Sequence, residues 1–564
     1  MKESDILLIG TNYLLEEFGK NIEINFDVGL LSIASMLEKY NYKTKIIDLS
    51  ALVKRGRLKI NKKFHQSVAE FIIQKNPRFI GFSTRCDTYP MIINIAKRCK
   101  RIVPECKVIL GGPQATFTDI DTLREFPFID VIVRGEGEIT IVELMRKLED
   151  KGKLEDVDGI TYRENGKIIR NKDREPIKDL DSLPLPAYHL IEEHLPSSKE
   201  HNSQYMYINV GRGCRYRCKF CSLGGVLPRM KSAERIIKEI KLLKNRYGFE
   251  KFFLENNNFL SNKEKAKQVC NLLIKEKLNI KWKVFCRIDS IDIDSIRIMS
   301  EAGCEGIFFG IESGSSSIQK FIKKRLNFSL VRNVLSQCKK YHILPELSFV
   351  IGFPVEREED LNATINLALK IFQFTDYYLI VNHFIPWGGV PLANKMHQLL
   401  FNNKAVQNDT NGCYLQPTIR LRENRNLIRR HPTIFNYFYV ISLRYLSMKV
   451  IYEVGTMFCN IVHNYPLSFS LALKELRLTP VELRNNFKAW LKKKGIKWDD
   501  DFANFRQESR YKGKINKAFP NFIKYLYRYR KTSSEFLSSI LYLEKKKFDL
   551  YSSIVNSKSF LTKL

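Results

Sequence analysis

Short apolar runs alternate with amphipathic stretches over the first 150 residues of the chain. The runs are rich in β-branched residues, which is typical of buried strands, and the stretches between them repeat apolar positions at helical spacing. The predicted strands are Ile6–Ile9, Thr44–Ile47, Phe79–Phe82, Lys107–Leu110 and Asp130–Val133. Because strands that alternate with helices pair in parallel, we expect residues 1–150 to form a doubly wound, Rossmann-like α/β domain.

Residues 151–200 interrupt this alternation. The segment ITYRENGKIIR predicts a β-hairpin in which Asn165 and Gly166 form a two-residue turn. The prolines of the segment DSLPLPAY, at 181–188, cannot continue a helix or a central strand. We therefore expect a hairpin and a proline-containing linker between two domains.

The alternation of strand and helix signals returns over residues 201–430. Six apolar runs predict strands, and helical patterns such as Ser232–Tyr247 lie between them. The predicted strands are Tyr205–Val210, Lys251–Leu254, Lys281–Phe285, Gly306–Gly310, Leu347–Ile351 and Tyr377–Val381. Such βα units predict a partial (β/α)6 barrel of the TIM type, with functional residues at the C-terminal ends of its strands.

Residues 431–564 lose the alternation and are aromatic, basic and helical in pattern. We expect a mainly helical region that closes the barrel mouth and contributes to substrate binding. The stretch at 435–458 predicts a pair of buried helices, with an interfacial helix that meets a lipid-like substrate as the alternative. The segment KYLYRYRK, at 524–531, predicts a solvated helix face, although its aromatic and basic residues would also suit stacking on bases or binding an acidic chain.

The composition adds a strong positive charge. The chain has 93 Lys and Arg against 61 Asp and Glu, and its net charge of +32 favours anionic partners without choosing among them. The N-terminus does not resemble a signal peptide, and no apolar run is long enough to span a membrane. We therefore expect a cytoplasmic protein, for which peripheral membrane contact stays open. Its twelve cysteines are expected to be thiols or metal ligands rather than disulfides.

The strongest chemical signal is a group of three cysteines in the segment GRGCRYRCKFCSLGG. Cys214, Cys218 and Cys221 follow the spacing C-x3-C-x2-C on a loop after an apolar strand. Three thiolates can hold three irons of a [4Fe–4S] cluster and leave the fourth iron open to another ligand. A structural zinc site, the alternative, normally takes four protein ligands, and no second cysteine pair has suitable spacing. Other cysteines in this region are expected to be buried free thiols; they are Cys270, Cys286 and Cys304.

Glycines stand at the predicted C-terminal ends of strands in the first domain. They are Gly10, Gly111, Gly112 and Gly135. They either turn the chain or let the backbone approach a large ligand closely, and the spacing does not choose between the two.

The cysteine motif with Phe220 before its third cysteine resembles the signature of radical S-adenosylmethionine (SAM) enzymes. Further segments are similar to this superfamily and occur in its order: ENNNF at 255–259, CRID at 286–289, GIESGS at 310–315, IGFPVE at 351–356 and PWGGVPL at 386–392. The segments GGPQAT at 111–116 and GEGE at 135–138 resemble the cobalamin (B12)-binding domain that precedes the barrel in one branch. The two resemblances together cover about two-thirds of the chain.

The resemblance implies three cofactors: a [4Fe–4S] cluster on the three cysteines, SAM and cobalamin. It implies that SAM binds the open iron and yields a 5′-deoxyadenosyl radical, which removes hydrogen from an unactivated carbon. By position in the motifs, the residues expected at SAM are Phe220, Glu255, Arg287, Glu312 and Gly352. Those expected at cobalamin are Gly111, Gly112, Gln114, Gly135 and Glu136.

Two positions depart from the pattern of cobalamin proteins. The loop after the first strand lacks the D-x-H-x-x-G motif that supplies an axial histidine, and the first histidine of the chain, His65, is expected at the surface. Gln114 stands where many relatives carry histidine. We therefore expect no protein histidine on cobalt, and a cobalamin domain that has degenerated is the competing interpretation.

The sequence thus predicts an oxygen-sensitive C-methyltransferase that depends on cobalamin and the radical chemistry of SAM. An enzyme of the same architecture that cyclises or rearranges its substrate is the main alternative, and a non-enzymatic cobalamin or SAM sensor is another. Methylthiolation of transfer RNA would need a second cysteine triad, and the N-terminal cysteines lack its motif context. The expected partners are a small-molecule, peptide or lipid substrate and a reductant such as flavodoxin or ferredoxin, and nucleic acid is not expected.

Overall fold

Two parallel sheets dominate the computed structural model of this chain. The residues that it describes are 5–11, 26–195, 204–372, 377–393, 399–401, 421–441, 443–462, 464–496 and 514–527, together with 540, 541 and 544. Each sheet is covered by helices, and both belong to the α/β architecture that the sequence pattern predicts.

The first sheet has the strand order β2-β1-β3-β4-β5-β6-β7. Its strands are β1 (Ile6–Gly10), β2 (Thr44–Asp48), β3 (Phe79–Ser83), β4 (Lys107–Gly111), β5 (Val131–Val133), β6 (Ile160–Glu164) and β7 (Lys167–Arg170). The first five pair in parallel, as predicted, and the predicted hairpin adds β6 and β7 as antiparallel strands. Asn165 and Gly166 have φ values of 48° and 78°, as a hairpin turn with two left-handed residues requires.

Helices connect these strands. They are α1 (Val28–Lys39), α2 (Leu49–Lys54), α3 (Phe64–Ile73), α4 (Tyr89–Ile102), α5 (Pro113–Phe117), α6 (Asp119–Glu125) and α7 (Gly137–Glu149). Asp27 caps α1 by accepting a hydrogen bond from the backbone N–H of Leu30 at 3.1 Å. The strand order reverses between β1 and β3, and an open sheet of this kind binds ligands beyond the strand ends at such a point.

The second sheet has six parallel strands in the order β15-β14-β13-β12-β11-β8 and forms the predicted partial barrel. The strands of this region are β8 (Met206–Asn209), β9 (Gly211–Cys214), β10 (Val226–Met230), β11 (Lys251–Glu255), β12 (Lys281–Cys286), β13 (Cys304–Glu312), β14 (Leu344–Ile351) and β15 (Tyr378–His383). Its helices are α8 (Ala233–Tyr247), α9 (Lys263–Lys275), α10 (Ile293–Glu301), α11 (Ser316–Phe321), α12 (Phe328–Lys340) and α13 (Glu358–Phe372). Strands β9 and β10 pair with each other as an antiparallel hairpin outside the barrel sheet.

The chain after β15, which is called the C-terminal region from here on, begins before residue 431; it is mainly helical but departs from the prediction at one point. Its elements are β16 (Leu399–Phe401), α14 (Arg422–Arg430), β17 (Tyr439–Ile441), α15 (Met448–Met457), α16 (Pro466–Leu476), α17 (Pro480–Lys493) and α18 (Lys514–Tyr527). The predicted helix pair at 435–458 is wrong in its first half, because β17 pairs with β16. Aromatic and β-branched residues favour strands where a partner strand is available. No helix of the described part of the chain is long and apolar enough to cross a bilayer.

The C-terminal region packs on both domains. Ile428 and Phe435 lie in the core of the first domain, where the Phe435 ring is 5.7 Å from that of Tyr89. Helices α15 to α18 instead share the core of the barrel. Tyr527, at the end of α18, is buried there, so this part of the predicted solvated face is wrong, and residues 528–531 lie outside the described residues.

His65 is also buried rather than exposed, which corrects the expectation from sequence. Its Nδ1 lies 2.9 Å from a carboxylate oxygen of Glu423 at the start of α14. Burial lowers the pKa of His65 to about 4. The helical pattern around His65 could not reveal this contact, because the partner is more than 300 residues away in the chain.

Candidate functional site

The three motif cysteines lie on the hairpin formed by β9 and β10. Cys214 ends β9, and Cys218 and Cys221 follow in the loop that leads to β10. Gly213 has a φ of 85°, and a Cβ there would lie 2.6 Å from the carbonyl oxygen of Leu227 on the opposite strand. The hairpin is therefore tight at the point where the cysteine loop begins.

All three thiols are free, and Cys218 is buried. Burial raises the pKa of both Cys218 and Cys221, and the neighbouring motif thiols raise the pKa of Cys221 further. Within the described ranges, no three His, Cys, Asp or Glu side chains converge on a point that could hold a single metal ion. A [4Fe–4S] cluster takes each thiolate on a different iron, and the segment from Cys214 to Cys221 supplies three thiols.

Arg287 lies beside the cysteine loop. Its Nη1 is 3.7 Å from Sγ of Cys218, and its Nε and Nη2 donate to the two carboxylate oxygens of Asp289 at 2.9 and 2.6 Å. The guanidinium carbon also lies 3.7 Å from the ring centroid of Tyr216, a cation–π contact. Arg287, which the sequence assigns to SAM, is thus held at the cysteine loop by three partners.

A buried ion pair lies on the same side of the barrel. Nζ of Lys324 is 2.6 Å from Oε1 of Glu312, and both side chains are less than 10% exposed. Glu312 has a φ of 65° at an irregularity in the pairing of β13 with β14. A Cβ on Gly310 would lie 2.6 Å from Nζ of Lys324, so this glycine makes room for the pair. Lys324 carries no motif signal, and sequence reasoning missed it.

Phe220 and the turn after β14 lie together. The ring of Phe220 is 6.1 Å from that of Phe353 in an edge-to-face contact. Gly352 has a φ of 87°, and its N–H and that of Phe353 donate to one carboxylate oxygen of Glu356. Burial raises the pKa of Glu356 to about 8. Glu356 was not among the predicted site residues, although it closes the motif IGFPVE.

Glu255 ends β11 beside Asn209 of β8 and faces the first domain. Burial raises the pKa of Glu255, the carboxylate of Asp27 raises it further, and the guanidinium of Arg85 lowers it. Asp27 and Arg85 lie at the strand ends of the first sheet, next to β1 and β3. The carboxyl ends of the two sheets therefore face each other at this position.

The predicted cobalamin residues fall into two groups. Gly111, Gly112 and Gly135 lie at the ends of β4 and β5. Gly112 has a φ of 96°, and a Cβ there would lie 2.6 Å from the carbonyl oxygen of Thr84, whereas a Cβ on Gly135 would meet no atom within 4 Å. Open backbone at a strand end fits a large ligand. Gln114 and Glu136 instead bind protein groups. The amide of Gln114 donates to the carbonyl of Ile434 at 2.7 Å, and Glu136 binds arginines of the β9–β10 hairpin.

Two family models match this chain. The model of the "Radical SAM superfamily" matches residues 208–368, and the model of the "B12 binding domain" matches residues 23–145. An uncharacterized methyltransferase of Pyrococcus horikoshii is 33% identical over 349 residues, which cover 61% of this chain and 73% of that protein. An anaerobic magnesium-protoporphyrin IX monomethyl ester cyclase of Synechocystis is 28% identical over 326 residues, which cover 57% of this chain and 65% of that protein.

A solved structure shares the fold over nearly the whole chain. The cobalamin-dependent SAM radical enzyme OxsB, solved with aqua-cobalamin and SAM bound, superposes with a TM-score of 0.62 at 15% identity. The match covers 99% of this chain and 85% of that chain. The order of a Rossmann-like sheet, a partial barrel and a helical region is therefore common to both proteins.

Proposed function

This chain belongs to the radical SAM superfamily, in the branch with a B12-binding domain, and from that premise we propose that it transfers a methyl group to an unactivated carbon. Its cofactors are a [4Fe–4S] cluster, SAM and cobalamin. The observation that carries the proposal is that the hairpin of the three cysteines binds Glu136, the residue after Gly135 at the end of β5, so that the two cofactor domains meet at their strand ends. Two cofactor sites that open toward one space suit a reaction that needs both a radical and a methyl donor.

The protein's part is to bind the cofactors and exclude competing reactions. When bound, cluster and SAM supply a radical that removes a hydrogen atom, and cobalamin supplies the methyl group. Cys214, Cys218 and Cys221 hold the cluster. The charged residues next to this loop, Arg287 and the Glu312–Lys324 pair, orient SAM.

Two further segments complete the proposed site. Phe220 and Gly352 lie at the edge where adenine binds. They are neighbours because the ring of Phe220 contacts that of Phe353, the residue after Gly352. The open backbone at Gly135 and the strand ends at Gly111 and Gly112 accept the corrin side. Glu255 faces the space between the two cofactors, where the substrate carbon must lie.

The products of SAM test the proposal without knowledge of the substrate. The full chain is reconstituted anaerobically with iron, sulfide and cobalamin, reduced, and incubated with SAM that carries an isotopic label on its methyl group. If the chain is a methyltransferase, bound and reduced cobalamin would accept the labelled methyl group from the sulfonium, and S-adenosylhomocysteine would be left. We therefore expect labelled methylcobalamin and S-adenosylhomocysteine in equal amounts, together with 5′-deoxyadenosine from the radical branch. If 5′-deoxyadenosine forms without either of them, methyl transfer is wrong.

A second candidate function is cyclisation of the substrate, which the similarity to the monomethyl ester cyclase favours. Such an enzyme uses the radical without adding a methyl group. Mass spectrometry of the product separates the two, because methylation adds one CH2 unit per event and cyclisation does not. The proposed substrates remain a small molecule, a peptide or a lipid, and the proposed electron donor is a flavodoxin or ferredoxin.

A further inference from the structure

Two arginines face each other on the hairpin that carries the cysteines. Arg212 on β9 and Arg229 on β10 are directly opposite in the register of the pair. Arg212 stands two residues before Cys214. Like charges in directly opposite positions destabilise a strand pair. The hairpin therefore needs compensating negative charge at the base of the cysteine loop.

The first domain supplies that charge through two glutamates. The guanidinium of Arg229 binds Glu136 with two hydrogen bonds, of 3.0 and 2.5 Å, and Arg212 lies 3.2 Å from the same carboxylate. Arg212 also donates to Glu138 at 2.5 Å. The side chains of Arg229 and Glu138 are only 9% and 4% exposed, so water screens this network little.

Both carboxylates are fixed from their own side as well. The backbone N–H of Ile177 donates to Glu136 at 3.1 Å, and the hydroxyl of Ser32 donates to Glu138 at 3.0 Å. Ser32 lies on α1, and Ile177 lies in the linker between the domains. Each glutamate is therefore bound on two sides, by the hairpin and by its own domain or the linker. A movement of the hairpin relative to the first domain would break these buried ion pairs.

The glutamates follow directly on Gly135, the residue at the open end of β5. Gly135 has a φ of 68°, and no atom lies within 4 Å of the position that its Cβ would take. The segment that leads from β5 into α7 thus has open space for a ligand at Gly135 and binds the cysteine hairpin through Glu136 and Glu138. A ligand that changes the position of this loop must also act on the hairpin.

We propose that the network of Glu136, Glu138, Arg212 and Arg229 couples cobalamin binding to SAM binding at the cluster loop. These four are positioning residues, since they act through the loop and the hairpin. The inference deepens the proposed function and rests on its cofactors, but it does not depend on methyl transfer. Coupling between two sites is reciprocal, so SAM must change the affinity for cobalamin by the same factor as cobalamin changes that for SAM.

The test is a titration of the cluster-loaded full chain with hydroxocobalamin, followed by absorbance, with and without saturating SAM. The cluster stays oxidised, so no SAM is cleaved. We expect SAM to change the Kd for hydroxocobalamin by about 5-fold or more in the natural chain. In Glu136→Gln, which removes the charge but keeps the shape, we expect the change to fall below about 2-fold.

The matched control is Glu143→Gln on helix α7, which begins directly after Glu136. Glu143 pairs with Arg174 and is not one of the two glutamates that bind the hairpin arginines. This variant should keep the full effect of SAM. If Glu136→Gln does not fold, Arg229→Lys takes its place, because lysine keeps the charge but loses the bidentate geometry.

Three results would overturn the proposal. In the natural chain, SAM could leave the Kd for hydroxocobalamin unchanged. In Glu136→Gln the natural effect of SAM could be retained, or in Glu143→Gln it could be lost. Absence of methyl transfer would leave this titration intact, so the failure of the proposed function and the failure of the coupling are distinguishable.

Discussion

At the scale of single residues, the site is built from buried charges that each have a partner. Arg287 binds Asp289, and Lys324 binds Glu312, within the layer of side chains beside the cysteine loop. Burying a charge is costly unless it is paired, so each partner fixes the position of the other. The sequence motifs predict Arg287 and Glu312 but not Lys324, because a lysine in a run of basic residues carries no signal of burial.

The first prediction at this scale concerns Cys218→Ala. Loss of one thiolate removes one cluster ligand, so we expect loss of the iron-dependent absorbance and of SAM cleavage after anaerobic reconstitution. The matched control is Cys270→Ala, which changes a free thiol buried in α9 of the barrel and should keep both signals. Retained cleavage of SAM in Cys218→Ala would refute the assignment of the cluster ligands.

The second prediction at this scale concerns Lys324→Met. It leaves Glu312 buried without its partner, and breaking a buried pair in this way costs about 3 kcal/mol of stability. We expect a lower midpoint of thermal unfolding and weaker binding of SAM to the cluster-loaded chain. The double variant Glu312→Gln with Lys324→Met should recover the midpoint but not the affinity for SAM. Recovery of both would show that the pair is structural only.

At the scale of elements, hydrophobic periodicity predicts the long strands and helices well. The five parallel strands of the first sheet and the six of the barrel lie where the apolar runs predict them, with ends shifted by a few residues at most. The β9–β10 hairpin could not be predicted, because β9 has the sequence GRGC, which has little strand propensity. Its ion pairs join it to a distant segment of the chain, and no local pattern reveals such pairs.

The prediction at this scale concerns the contact of α14 with α3. Glu423 of α14 contacts His65 of α3 and also accepts a hydrogen bond from Arg98 of the neighbouring helix α4 at 2.8 Å. The unfolded chain binds a proton at His65 below pH 6.5, whereas the folded chain binds it only near pH 4. The free energy of unfolding is therefore highest above pH 6.5 and decreases as the pH falls. The decrease amounts to about 2 kcal/mol at pH 5.

The measurement is the midpoint of thermal unfolding at pH 7 and at pH 5. His65→Gln should show a smaller decrease between the two than the natural chain, because glutamine does not titrate. His189→Gln is the matched control, since His189 is half exposed and pairs with Glu38 at the surface. An equal decrease in the natural chain and in His65→Gln would contradict this account.

At the scale of the whole molecule, the order of the domains is predicted from sequence but their interface is not. The motifs imply a cobalamin domain followed by a radical SAM barrel. Each of these two folds binds its ligand at the carboxyl ends of its strands. That the two sets of strand ends face each other follows from contacts such as those of Arg229 with Glu136 and of Arg212 with Glu138. In a second contact, Phe117 of α5 in the first domain packs against Gly388 and Gly389, which follow β15. A Cβ on either glycine would lie within 3 Å of Phe117.

In the proposed function, the cluster and cobalamin act on one shared space between the two domains. Electron paramagnetic resonance of the full chain, reduced so that it holds both the paramagnetic cluster and cobalt(II), tests this directly. We expect the signals to be broadened or split by their interaction, and each to sharpen when the other centre is absent. Two independent signals that simply add would contradict the account, because they would place the cofactors in separate sites.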